Sequence, residues 1–130
     1  DLAREVVAAA ARVLPEAAMV GLPGSKIMEA AEGAGLKFVA EGFADRAYTA
    51  AGQLVSRSKP GAVIEDEAAR IAQALALAAG GPMTAITGEE ISLKVQIICI
   101  HSDSPSALDS AKAIRTTLEQ EGFTIGVPAS

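Results

Sequence analysis

The sequence predicts an α/β fold with parallel strands and crossover helices, on three observations. Segments with helical apolar spacing alternate along the chain with short apolar runs bounded by glycine and proline, the order expected of strands joined by crossover helices. Aromatic residues make up 3% of the chain and Trp is absent, so alanine and aliphatic side chains must build the interior, which suits helices lying close on a sheet. Residues 93–100 (LKVQIICI) begin as an alternation and finish as a continuous apolar run, the pattern of a strand buried on both faces of a parallel sheet.

Taken in order, Leu2, Val6, Ala10, Val13 and Leu14 recur at helical spacing until Pro15 stops them. Residues 17–21 (AAMVG) read as a short buried strand running into Leu22-Pro23-Gly24-Ser25, where Ser25 caps a helix with Ile27, Met28 and Ala31 on one side. That helix ends near Gly33–Gly35, and residues 36–40 (LKFVA) form the next strand. A polar, glycine-containing loop then spans residues 41–61, and loops of that length usually carry function. Residues 65–79 form an alanine-rich helix with Ile71, Ala72 and Leu75 as its buried stripe, closed by Gly80-Gly81 before Pro82.

Residues 83–87 read as a short strand, and residues 93–100 as the central one with His101 at its carboxyl end. Ser104 caps the last helix, with Pro105 in its first turn and Ala107, Leu108, Ala111, Ile114 and Leu118 inward, up to Gly122. Phe123, Ile125 and Val127 alternate as a final strand. No repeat or low-complexity linker interrupts residues 1–130, which read as one segment without an internal boundary. A start inside a helix and a sheet of about four strands predict open edges that pair with another chain, either a missing half or a second copy.

Composition narrows the function. With 130 residues, 50% hydrophobic, and 11 basic against 16 acidic side chains, the formal charge is −5, which disfavours nucleic acid as a partner. No apolar run reaches the roughly 18–20 residues of a membrane span, and the first residues lack a signal-peptide pattern, so a cytoplasmic location is expected. One cysteine (Cys99) and one histidine (His101) exclude an internal disulfide and a self-contained His/Cys metal site. Cys99, inside an apolar run, reads as a packed residue rather than a reactive thiol.

Several residues are candidates for chemistry. His101 stands where a parallel strand meets its loop, the edge at which α/β sites are built, and its neighbour Asp103 can orient it. Asp45 and Arg46 sit in the long loop with Glu41 and Arg57 near them in sequence. A salt bridge that pins the loop and a functional loop are both open readings of these four. Gly21, Gly24 and Ser25 precede a helix start, which can present backbone N–H groups to a phosphate, although the spacing is not that of a P-loop and a plain strand-to-helix turn is the competing reading.

The long loop carries a more specific pattern. Residues 41–48 (EGFADRAY), 52–57 (GQLVSR) and 61–65 (GAVIE), with 20–25 (VGLPGS) upstream and 87–89 (TGE) and 99–103 (CIHSD) downstream, resemble the LamB/YcsF family over nearly the whole chain. The pattern departs from the family at Ser102, where the family has Gly, and at Ala51, where an Asp usually precedes Gly52. The resemblance implies a distorted (β/α) barrel of which this chain is the C-terminal half. It implies the ATP-dependent opening of the 5-oxo-L-proline lactam to L-glutamate, as a subunit or half-subunit of a 5-oxoprolinase with partner subunits B and C. A divalent metal is allowed, with ligands mostly outside this chain.

Under that resemblance His101, Asp103 and Asp45 are the catalytic candidates, and Arg57, Arg46 and Glu41 the substrate-binding ones. Either arginine can grip the substrate carboxylate bidentately. Asp45 is either an acid/base or the holder of an arginine. The alternative function is a non-catalytic α/β interaction domain that keeps the fold without the chemistry.

Overall fold

The computed structural model describes residues 1–128. In chain order the elements are α1 (Leu2–Val13), β1 (Ala18–Gly21), α2 (Lys26–Gly33), β2 (Lys37–Phe43), α3 (Glu67–Ala79), β3 (Pro82–Thr84), β4 (Glu90–Ser92), β5 (Ile97–Cys99) and α4 (Ala107–Gln120). One sheet has the order β1-β2-β5 with both pairings parallel, and β3 and β4 form a separate antiparallel pair. The α/β class and the parallel sheet agree with the sequence reading. The antiparallel pair was not anticipated.

Local chemistry explains the helix ends. Asp1, Ser25 and Asp66 accept the backbone N–H of Ala3, Met28 and Ala69 at the starts of α1, α2 and α3, satisfying donors that have no partner within the helix. Gly80 ends α3 with φ 62°, a left-handed conformation that glycine adopts without a Cβ penalty.

The small-residue interior does what its composition suggested. A Cβ built on Gly42 of β2 would lie 2.9 Å from Leu77 Cδ2 of α3, so the helix approaches the sheet only because a hydrogen stands there. Phe43, Tyr48, Leu77 and Met83 form one buried cluster, and Ala44, Ala74, Ile114 and Leu118 another. Between them, residues 42–46 are buried without interruption. These clusters flank the carboxyl ends of β2 and β5.

Several expectations are corrected. The strand expected over 36–40 runs on to Phe43, so the first residues of the expected loop belong to the sheet. Of residues 93–100 only Ile97–Cys99 is strand, and it is half-buried, because β5 is an edge of the sheet and not a centre. The same holds for β1, whose Val20 is exposed. Leu2, Val6, Val13 and Leu14 face outward, and α1 packs instead through Ala3 and Val7.

The inward face of α3 is Arg70, Ala74 and Leu77, with Ala72 exposed and Ile71 and Leu75 half-buried. The cap position of α4 is Ser106 rather than Ser104; Leu108 is exposed and Ser110 buried. Residues 123–127 form no strand. Phe123, Ile125 and Gly126 instead border an apolar cavity of about 570 Å³ against Ile98 and Ile114.

Candidate functional site

Parallel pairing brings together residues far apart in sequence. The register runs Glu41 with Ile97, Gly42 with Ile98 and Phe43 with Cys99. Continued two residues past the strand ends, it sets Asp45 level with His101. There the Asp45 carboxylate accepts the His101 backbone N–H at 2.7 Å through Oδ2, and its Oδ1 lies 2.9 Å from His101 Nδ1. Since a carboxylate can only accept, the neutral imidazole in this geometry carries its proton on Nδ1, which leaves Nε2 as its acceptor. Nε2 has no hydrogen-bond partner among the described residues.

Phe43 stacks on the imidazole with centroids 5.1 Å apart and planes at 18°. His101 also borders an open cavity of about 410 Å³ with Ser102, Ser104, Pro105 and the first turns of α4. The residue that orients His101 is therefore Asp45, and not its sequence neighbour Asp103 as expected. Asp103 instead accepts from Arg57 Nη1 at 2.8 Å, on the surface.

The turn that carries Asp45 is tied on every side. Ala44 N–H donates to the Cys99 carbonyl and Ile64 N–H to the Asp45 carbonyl. Gln73 of α3 donates through Nε2 to the carbonyls of Phe43 and Arg46, each at 2.7 Å. Arg46 is buried and donates to the carbonyls of Ala62 (3.2 Å) and Val55 (2.6 Å). That is the loop-pinning reading of Arg46, with a backbone partner in place of a carboxylate. Arg70, also buried, bonds Ile64 O, Ser106 Oγ and Ser110 Oγ, joining the loop to α4.

Tyr48 accepts the Phe43 N–H at 2.7 Å through its hydroxyl. Burial pushes its phenol above the ordinary value against the opposing pull of that hydrogen bond, and the charge of Glu41 adds to the rise. Burial likewise raises the Cys99 thiol, again with Glu41 contributing. Glu41 itself is half-buried within β2, on the strand face that also carries Phe43. Arg57 is raised and Asp103 lowered by the hydrogen bond they share.

The turn at Gly21, Gly24 and Ser25 stands apart from this cluster in its bonding. Ser25 Oγ is taken up in capping α2, and Gly24 N–H faces Met28 Sδ at 3.3 Å. That is the plain strand-to-helix turn. Among the described residues no three His, Cys, Asp or Glu side chains gather as a metal-holding group, and no helix is long and apolar enough to cross a membrane.

Sequence reading missed Gln73, Arg70 and the stacking of Phe43. Arg70, Gln73, Ala74 and Leu77 recur at the spacing of one helix face. Polar residues on that face were the available signal, since an inward polar side chain must find partners.

An α/β chain that sets a histidine against a carboxylate at the carboxyl ends of two adjacent parallel strands falls in the class that builds polar sites on that edge of the sheet. The chain belongs to the LamB/YcsF family, which it matches over residues 1–130. It is 53% identical over 106 residues to the A subunit of the 5-oxoprolinase of Corynebacterium glutamicum (strain R), covering 82% of this chain and 42% of that one. To the corresponding 5-oxoprolinase chain of Paracidovorax citrulli (strain AAC00-1) it is 45% identical over 123 residues, covering 95% and 49%.

Its fold matches the crystal structure of the Lactam Utilization Protein from Thermus thermophilus with a TM-score of 0.86 at 37% identity, over 95% of this chain and 49% of that one. The chain thus spans about half the length of the curated relatives it matches. The family resemblance read in the sequence is borne out.

Proposed function

We propose that this chain is part of an ATP-consuming 5-oxoprolinase that opens the lactam of 5-oxo-L-proline to L-glutamate, and that it supplies the acid/base pair His101–Asp45. The observation that carries the reading is the double hydrogen bond by which one buried carboxylate fixes both the backbone and the ring of the strand-end histidine. Relatives named as the A chain of 5-oxoprolinase and a structural relative named for lactam utilization support the substrate class. In this proposal the chain forms the C-terminal half of a distorted (β/α) barrel, whose other strands pair with β1 and β5, and works with subunits B and C.

Opening the lactam adds one water. The water oxygen bonds to the carbonyl carbon, the carbon–nitrogen bond of the ring breaks, and one proton passes from water to the departing nitrogen. With its proton on Nδ1 toward Asp45, His101 takes the water proton at Nε2 and returns it to that nitrogen, as a positioned imidazole does in acyl transfer. Arg57 exchanges Asp103 for the substrate carboxylate, to which its planar fork can offer two parallel N–H groups.

An unactivated lactam is a poor electrophile, and ATP supplies the driving force for its opening. The engaged Ser25 hydroxyl and Gly24 N–H do not fit a phosphate cradle. The nucleotide is therefore not assigned to the Gly21–Ser25 turn.

The test is glutamate production by the assembled enzyme carrying His101→Ala or Asp45→Asn. Turnover is expected to fall by roughly 10²-fold or more with the thermal midpoint little changed for His101→Ala. Undiminished turnover in both would sink the reading and leave the chain as a non-catalytic interaction domain.

A further inference from the structure

We infer that Gln73 is a positioning residue for the His101–Asp45 pair, setting from α3 the geometry of a turn it does not belong to. This rests on the functional reading above for its effect on turnover, but not for its effect on the imidazole. Its amide nitrogen lies 2.7 Å from both the Phe43 and the Arg46 carbonyl oxygens. Only an NH₂ group can donate to two carbonyls at once, so these distances fix which end of the amide faces the turn.

The two carbonyls bracket Ala44 and Asp45. One belongs to the residue whose ring stacks on His101, and the other to the residue that follows the orienting carboxylate. A single side chain thereby anchors the backbone at both ends of the segment that carries the two groups on the imidazole, the stacked Phe43 ring and the Asp45 carboxylate. The other ties of the turn act at other atoms, Ala44 N–H on the Cys99 carbonyl and the Asp45 carbonyl on Ile64 N–H, so Gln73 is the side chain that holds the Phe43 and Arg46 carbonyls. Gln73 touches neither imidazole nor cavity, so its action is indirect.

Removing the donors frees the two carbonyls to reorient, which tilts the peptide units on either side of Asp45. Displacements well below an ångström already matter for proton transfer, and about 1 Å can cost 10²-fold in rate. Substrate binding at Arg57 depends on a different part of the loop, so the effect should fall on kcat.

The variants are Gln73→Met, which keeps length without donors, and Gln73→Glu, which sets a carboxylate against two carbonyls. Both are read by ¹⁵N and ¹H spectra of labelled imidazole in the protein that carries this chain, with the His101 signals identified by their loss in His101→Ala. The expected result is loss of the single Nδ1–H tautomer signature and a reduced ring-current shift from Phe43. In the assembled enzyme kcat should fall about tenfold with KM within about twofold.

A folded Gln73→Met with the imidazole signals of the unaltered protein overturns the inference, whatever the reaction proves to be. If turnover survives His101→Ala while Gln73→Met still shifts the imidazole, the functional reading fails and the positioning role stands. Should neither variant fold, side-chain amide exchange in the unaltered protein decides. Gln73 protons exchanging as fast as those of exposed Gln53 overturn the clamp, and protected ones uphold it.

Discussion

His101–Asp45 and Arg57–Asp103 are pairs of almost the same length, 2.9 and 2.8 Å, and they differ in nearly everything else. In the first the side chains are 28% and 6% exposed, and in the second 47% and 63%. Water screens the exposed pair and competes for both partners, so its net contribution is small. Around Asp45 water is excluded, and an unsatisfied oxygen there bears its full desolvation cost. Distance alone therefore says little about what either pair does. The buried pair fixes a tautomer, while the exposed pair leaves Arg57 free to change partner.

The largest effect that sharpens this contrast is expected from Asp45→Asn. The amide would offer N–H to a ring nitrogen that now donates, reversing the tautomer, and kcat/KM in the assembled enzyme should fall roughly 10²–10⁴-fold. A loss below tenfold would make the buried pair as dispensable as the exposed one. Packing at the same strand ends is tested by Gly42→Ala, whose new methyl meets Leu77 at 2.9 Å. Overfilling of this kind should cost about 1–3 kcal/mol in denaturant unfolding, and an unchanged midpoint would mean that α3 does not press on β2 as described.

A smaller effect is expected from Arg57→Lys, which keeps the charge and loses the fork. Under the proposed function, KM for 5-oxoproline in the assembled enzyme should rise about tenfold with kcat little changed. An unaltered KM would place the carboxylate elsewhere. Smallest of all is Asp103→Asn, which should lower the thermal midpoint at neutral pH only slightly, since an exposed pair contributes little.

The Arg57 hydrogen bond holds the Asp103 carboxyl below its ordinary value of 3.8. The unfolded chain therefore takes up that proton more readily, so stability rises with pH in this range. Its contribution is present above 3.8 and is lost as the pH falls through the lowered value. Asp103→Asn should remove that small contribution at neutral pH and with it flatten the acid limb. A neutral drop as large as that of Gly42→Ala would show the exposed pair to be structural.

Legibility in the sequence followed the range of the forces involved. Ser25 as a cap, the Gly80-Gly81 stop and the helical spacing of α3 are effects of a few adjacent residues, so the sequence carries them openly. The parallel sheet followed from alternation, and the family pattern followed from the loop residues themselves. Outward and inward faces were read less well: Leu2, Val6 and Val13 are apolar yet exposed, because which face of an amphipathic helix is covered depends on what lies beside it. The same ambiguity hid Arg70 and Gln73 on the inward face of α3.

By itself, the sequence determined an α/β chain of helices close-packed on parallel strands, with Asp45, His101, Asp103 and Arg57 as groups capable of chemistry. Only the tertiary structure decided their pairing. From sequence, Asp103 was the natural partner of His101, being two residues away, yet the orienting carboxylate lies 56 residues away. The reason is the β2–β5 register: hydrogen bonding of the two strands fixes which residues stand level at their ends, and no local pattern encodes that register. Gln73, reaching two carbonyls of another element, is set by the same packing of α3 over the sheet.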